Sequence, residues 1–574
     1  MEKIWVVKGE EFDSSGINSL CDRFKIEEPI AKLLWQRGLR DEEEIKKFFN
    51  PSLNDLHDPF LMKDMVEATK LLSDTLTAKK HILLLGDYDV DGTTAVATMA
   101  LGLKQFETKI FHYIPDRYLE GYGISLNGID YAEENGCSLI ISLDCGVKAM
   151  DHIAYAKSLG IEVIVCDHHE PGEQLPDALI LDPKRKDCNY PFKELSGCGV
   201  GFKLLQALYI LNNKPQEILF NLLDLVSISI GADIVPVIGE NRILAYHGLK
   251  KLNAHPRFFI QNMAELSSKK FPFTLTDVVF ILAPRINAAG RIRTGIHAVE
   301  MMLSEDLNKI KELTNDINND NKTRRELDES ITKEALEIIQ NDKSFNEKKY
   351  TIVFQSHWNK GVVGIVASRL IEKYYRPTIV LTKSNDMITG SARSVPNFNL
   401  YKALHHCQDL LEQFGGHEYA AGLSLKEENY TLFLERFENY VHQQMTQEMM
   451  IPVQEIDIQI DLHDIYCNNL NSKIPRLKKA VDAFEPFGPQ NMKPVFVSKN
   501  LYAIDSKILK EKHLKLKVRQ PQSKIMFDAI GFGLAEKENE IGSGVPFEMA
   551  FTLEMNDFNG QSNVQLNIKD IREM

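Results

Sequence analysis

Three times between residues 81 and 169 an almost unbroken apolar run ends abruptly on ionisable groups. HILLLG runs into Asp87, Asp89 and Asp91, CSLIISL into Asp144, and IEVIVC into Asp167, His168 and His169. Apolar runs without polar alternation fit strands of a parallel sheet buried on both faces. The segments that follow the first two, GTTAVATMALGLKQF and VKAMDHIAYAKSLG, read as amphipathic helices; in the first, Val96, Met99, Leu103 and Phe106 share one face. Strand and helix in alternation predict βαβ units with helices on both sides of the sheet. Ligands of such sheets bind outside the carboxyl ends of the strands, so the acids and imidazoles are expected to converge there.

Crowded carboxylates repel one another unless something positive lies between them. Carboxylates with neutral imidazole suit divalent cations such as Mn²⁺ or Mg²⁺, whose charge offsets that repulsion. Any one of these aspartates is adequately explained as a helix cap or turn former, but that account does not cover all of them at equivalent strand ends. Asp233, in SISIGADIVP, follows another apolar run and joins the candidate set. An EF-hand beginning at Asp87 fails, because Thr98 stands where the bidentate Glu belongs and a strand precedes it where a helix should. DVDGTT also resembles the DxDGT nucleophile motif of haloacid-dehalogenase-type phosphatases, with Asp89 attacking phosphorus and Asp91 as acid and base. No later G-D-x-x-x-D motif completes that site, and Asp144 and the DHH run are left without roles.

The chain of 574 residues is too long for one core and predicts several domains. Residues 305–348 are densely charged with helically spaced apolar positions, which predicts a long or briefly broken helix bridging two domains. A second α/β segment begins at KYTIVFQS, and after Pro452 short alternating runs predict a small antiparallel barrel. Net charge is −14, which by itself argues mildly against nucleic acid as a partner. Between Lys499 and Lys524, however, eight Lys or Arg stand against Asp505 and Glu511, and in HLKLKVR basic and apolar residues alternate. One sheet face there is expected to be positive or simply solvated. The eight cysteines form no CxxC pair, and Cys145, Cys166 and Cys198 read as small buried fillers. The opening residues lack a secretory pattern and no apolar run reaches the roughly 18 residues that span a bilayer, so a cytoplasmic enzyme without a membrane partner is expected.

DYDVDG, SLDCG, CDHH and GADIVP, in that order, closely resemble the four motifs of the DHH phosphoesterase superfamily. IPDRYLEGYG, LDPKRKDCNYPFKELSGCGVGFKL, APRINAAGRI, GSARSV, FGGHEYAAG and FEPFGPQNMKPVF, with the N-terminal IAKLLWQRGL and NPSLNDLHDPF, narrow the resemblance to its bacterial single-strand-specific exonucleases. The resemblance implies an α/β multidomain chain. An N-terminal extension (1–75) would pack on a parallel-sheet DHH domain (76–304), followed by the linking helix (305–348), a DHH-associated domain (349–450) and a C-terminal OB-fold barrel (453–574). It implies one metal held by Asp89 and Asp144 with Asp87 contributing, a second held by Asp91, Asp144, His168 and Asp233, and His169 facing the scissile phosphate. Two such cations activate water and stabilise the leaving oxygen without a protein nucleophile.

By the same resemblance Gly415, Gly416 and His417 approach the substrate phosphate. Arg117, Ser391 and Arg393 recognise a 5′-phosphate, Tyr122 stacks on a base, and Arg285, Asn287 and Arg291 line the strand's path. The implied activity is 5′ to 3′ hydrolysis of single-stranded DNA to mononucleotides in recombination and repair, by a monomer supplied by single-strand-binding protein and a helicase. Two alternatives stay open at this point: a phosphoesterase acting on small substrates, and a non-catalytic replication scaffold.

Overall fold

Side-chain alternation organises the first domain. Ile82 and Leu84 enter a core with Leu139, Ile141 and Ile164, while Leu83 and Leu85 enter a second with Ile140, Val163 and Val165. Successive residues of a strand point to opposite faces, so a sheet buried on both sides needs unbroken apolar runs. The strands are parallel and ordered Ile110–Tyr113, His81–Gly86, Cys137–Leu143, Glu162–Cys166 and Leu179–Leu181. Chain direction across the sheet reverses beside His81–Gly86, which puts Asp87 at the topological switch point. In this computed structural model residues 2–574 are described, apart from 10–11, 385, 467–473, 522, 524, 542–543 and 559–560.

Helices Val90–Leu103, Gly197–Leu211 and Leu223–Ala232 fill one face of the sheet and are buried nearly all round. The apolar run before Asp233 is thus a helix, and Asp233 is its C-cap. Burial on every side removes the polar stripe that distinguishes a core helix from a strand.

Leu307–Asn341 is one unbroken helix of 35 residues, started by the Asp306 side chain accepting from Asn308 and Lys309. Ile310, Leu313 and Ile317 belong to the first domain's core, and Ile331, Ala335 and Ile339 to that of the second. Its buried acids are matched: Asp320 by Arg293 at 3.0 Å and Asp328 by Arg369 at 2.6 Å. One rigid rod therefore fixes two domains across a cleft. The second domain's sheet runs Gln413–Gly416, Ala420–Leu425, Met387–Arg393, Thr378–Ser384, Thr351–Phe354, with only the last pair parallel.

The C-terminal barrel comprises Phe496–Leu509, His513–Arg519, Phe527–Gly531, Phe547–Phe558 and Gln561–Glu573, closed by pairing of the first with the fourth. Leu514, Leu516 and Val518 point inward, and Lys515, Lys517 and Arg519 outward. Lys515 stands opposite Lys507, whereas Lys517 stands between Asp505 and Asp528. The positive face is therefore concentrated at Lys507 and Lys515; Lys524 lies outside the described residues.

The extension expected to pack on the first domain divides instead. Ile17, Leu20, Leu33, Leu34 and Ile45 join the barrel's core, and Ile4–Val7 pairs in parallel with Val453–Ile456. Only the later part, including helix Met65–Thr77, packs on the parallel-sheet domain. An amphipathic helix signals that it will be buried, not against which surface.

Candidate metal centre and substrate cleft

Each acid of the cluster is fixed by the element that ends beside it. Asp89 caps helix Val90–Leu103, its Oδ1 accepting from Gly92 at 3.1 Å. Asp91, in the first turn, accepts from the amides of Gly197 (2.7 Å) and Cys198 (2.8 Å) and from Ser229 Oγ (2.7 Å). Asp144 adopts a left-handed backbone, φ +62°, its amide donating to the Cys166 carbonyl at 2.8 Å. Asp233 reaches the same point from its helix end.

These residues form two adjoining groups, each with donor atoms within 4.8 Å of one another: Asp87, Asp89 and Asp144, and Asp91, His168 and Asp233. His168 Nε2 lies 3.2 Å from Asp144 Oδ1, 3.4 Å from Asp233 Oδ2 and 3.8 Å from Asp91 Oδ2. His169 joins Asp144 and His168 in a third group. Among the described residues, buried Asp87 Oδ1, Asp144 Oδ1 and both His168 nitrogens have no hydrogen-bond partner. Buried polar atoms are almost always paired, so the carboxylate oxygens and the lone-pair nitrogen of His168 are sites for something positive. An oxygen-rich set with one imidazole fits Mn²⁺ or Mg²⁺.

Electrostatics agree with that fit. Burial and then neighbouring carboxylates raise Asp87, Asp89, Asp144 and Asp233 above the usual carboxylate range. Burial lowers His168 to about 4, keeping it in the neutral, ligating form. His169 differs: burial opposes its charge, but the hydrogen bond from Nδ1 to Asp167 Oδ1 at 2.8 Å wins and raises it to about 9. Asp167 is a positioner, accepting also from the amides of Val147, His168 and His169; despite burial, His169 leads the partners that hold it at about 2. Tyr122 Oη donates to the Asp144 carbonyl at 3.0 Å, and its ring, half exposed, stands edge-on to His169.

Cations gather beside the acids. The Arg117 guanidinium lies 4.8 Å from the centre of the Tyr88 ring and Arg291 donates to the Gly361 carbonyl. Arg393 donates to Ser391 Oγ at 2.9 Å, both facing one side of their strand. Gly364 lets the first turn of helix Val363–Tyr374 come close to Ser391 and Arg393. Burial first, then Arg117, Arg324 and Arg393, push Arg291 down to about 10, and burial and Arg117 lower Arg393 and Lys360. Among the described residues Arg117, Arg291, Arg324, Arg393 and Lys360 make no ion pair with an acid. Arg324 and Lys360 escaped sequence reasoning, since a lysine or arginine in a charged helix or loop reads as solvated.

Across the cleft, Gly415 to His417 form the tip of a hairpin. Gly416 has φ +139° and a Cβ there would lie 2.3 Å from the Ala420 carbonyl oxygen, whereas Gly415 faces open space. Burial, then the nearby His169 and Lys148, lower His417. Arg285 departs from its expected place on the strand's path. It is 7% exposed and donates to Asn318 of the long helix and to the Ile281 carbonyl. Asn287 stays half-buried one turn before Arg291.

Fold and site together define a phosphoesterase of the DHH class. Residues 81–230 match the DHH family's N-terminal domain and residues 347–443 the DHHA1 domain. Residues 456–570 match the RecJ OB domain. The chain belongs to the RecJ family. It is 36% identical over 564 residues to the single-stranded-DNA-specific exonuclease RecJ of Bacillus subtilis, covering 97% of this chain and 70% of the relative. Identity to RecJ of Haemophilus influenzae is 33%, over 94% of this chain and 95% of the relative. Crystalline RecJ from Thermus thermophilus in complex with Mn²⁺ superposes with a TM-score of 0.84 at 25% identity, covering all of this chain and 80% of that one. An exonuclease RecJ bound to manganese gives 0.60 at 30% identity, over 68% and 97%.

Proposed function

We propose that the chain is a single-stranded-DNA-specific exonuclease that hydrolyses phosphodiester bonds from the 5′ end and releases 5′-mononucleotides. One observation carries this reading. A buried acid cluster with orphaned oxygens adjoins a cluster of unpaired cations, near enough that Arg117 acts on Asp87 and Asp89 on Arg291. A 5′-terminal nucleotide bound between them would have its terminal phosphate among the cations and its scissile phosphodiester over the acids.

Asp87, Asp89 and Asp144 would hold one cation and Asp91, Asp144, His168 and Asp233 the second. Two bound divalent ions supply activation of water and neutralisation of charge on the leaving oxygen. The protein's own groups orient the substrate. His169, held by Asp167, presents a charged imidazole beside the cluster. Arg117, Arg393 and Ser391 provide donors for a terminal phosphate, a task that suits the guanidinium fork. Tyr122 offers a ring to a base.

The positive barrel face has no purpose for a small-substrate phosphoesterase, nor the orphaned acids for a scaffold. No helix among the described residues is long and apolar enough to cross a membrane. A monomer working in the cytoplasm, with a helicase and single-strand-binding protein delivering substrate in recombination and repair, completes the reading.

The test is a 5′-phosphorylated, 3′-labelled single strand incubated with Mn²⁺, beside a blunt duplex. Labelled fragments shortened from the 5′ end, with the duplex spared, are expected. Immediate release of the label as mononucleotide would reverse the polarity, and equal loss of duplex would remove the strand specificity.

A further inference from the structure

Ile234 follows Asp233 directly and is held in a conformation that its residue type resists. Its φ is +60°, in the left-handed region, where a branched Cβ crowds the backbone and β-branched residues are genuine outliers. Burial does not compensate: Ile234 is 63% exposed, although Val235 and Val237 beyond it are buried. Cost without local return concentrates at sites where function requires the geometry.

The segment that follows Ile234 is fixed by contacts with the chain leading into the barrel. Val237 N donates to the Pro489 carbonyl at 2.8 Å, and a Cβ on Gly488 would lie 2.3 Å from Val237 Cγ2. Asn241 Nδ2 donates to the Pro236 carbonyl at 3.0 Å. Arg242 donates to the carbonyls of Phe484 at 2.9 Å and Glu485 at 3.0 Å. The loop leading into the barrel thus clamps the segment after Asp233 from its far side. The clamp leaves an aliphatic side chain in solvent next to a carboxylate 3.4 Å from His168 Nε2. The exposed Tyr122 ring adjoins the same cluster through His169.

We propose that Ile234 is a substrate-contact residue, its side chain packing on the sugar and base of the nucleotide whose phosphate lies over the acid cluster. This deepens the exonuclease reading and rests on it. An aliphatic side chain recognises the faces of deoxyribose and base without reading sequence.

The test uses the full-length chain with Ile234→Gly and Ile234→Asn, residues that tolerate a positive φ. Thermal unfolding midpoints equal to or above wild type, with the rise on adding Mn²⁺ retained, are expected. Turnover of bis(p-nitrophenyl) phosphate should stay at the wild-type rate, while kcat/KM on a 5′-phosphorylated single strand falls by about tenfold or more. Strand digestion within about twofold of wild type would overturn the proposal. So would an equal loss on both substrates or a lost Mn²⁺ shift, because the residue would then act through Asp233. A wild-type chain inert on the strand but active on the small ester would overturn the exonuclease reading, and this inference with it.

Discussion

Gly197 presses on Asp144: a Cβ at Gly197 would lie 2.6 Å from both Cβ and Oδ1 of the aspartate. Its amide also donates to Asp91 at 2.7 Å, so one residue lets two acids meet. Gly197→Ala is expected to cost about 1–3 kcal/mol of stability by overpacking. Because Asp144 must move, Mn²⁺-dependent nucleotide release should fall by about a hundredfold, the usual effect of misplacing a reacting group. Near-normal release in a folded variant would show that the close approach is not needed.

Asp144→Asn removes a charge that burial and four neighbouring aspartates disfavour. With metal chelated, the variant should unfold no earlier than wild type. At Mn²⁺ about a hundredfold above its dissociation constant, wild type should gain about 2.7 kcal/mol for each ion bound while the variant gains little. Nucleotide release should vanish with binding to DNA intact. Cleavage by the variant would remove Asp144 from the centre.

Arg393→Ala should erase much of the preference for a 5′-phosphorylated over a 5′-hydroxyl strand, by about tenfold to a hundredfold for a lost charge-assisted hydrogen bond. Arg285→Ala is the contrast, since Arg285 is spent on Asn318. That variant should weaken the joint to the long helix and leave the preference unchanged. The ratio of kcat/KM for the two strands decides both.

Binding of DNA to the barrel should show a salt dependence that Lys507→Ala and Lys515→Ala flatten. Removing one lysine–phosphate interaction reduces the slope of log K against log salt by about 0.7 for a single strand. Titrations of a labelled strand at several salt concentrations measure it; unchanged slopes would place the strand on another face.

Asp182, buried at the tip of strand Leu179–Leu181, has its pKa raised to about 7, first by burial and further by Asp167, against the Lys184 amide. A carboxyl raised in the folded state holds its proton where the unfolded chain has released it. Stability from this group is therefore lost as pH rises from about 4 to about 7. Asp182→Asn should stabilise the metal-free protein at pH 8 by up to about 4 kcal/mol and have no effect near pH 3. Urea unfolding at the two pH values tests this.

Much of the architecture was written locally. The runs ending at Asp87, Asp144 and Asp167 announced buried parallel strands, and strand polarity alone then brought their terminal acids to one edge. The spacing of Ile310, Leu313 and Ile317, then Leu327, Ile331 and Leu336, announced a helix bridging two domains. The alternation of Lys515, Lys517 and Arg519 with Leu514, Leu516 and Val518 announced a half-buried strand.

Tertiary structure alone decided which surfaces meet. It brought Asp233 in from a helix end, turned Arg285 inward to Asn318, and set Arg324 and Lys360 among the cations of the cleft. It also placed the first helices on the barrel at the opposite end of the chain. Periodicity records how much of a residue is hidden from water, because that is fixed by the rise and twist of its own backbone. The partner that hides it is set by packing across hundreds of residues, which leaves no mark on local spacing.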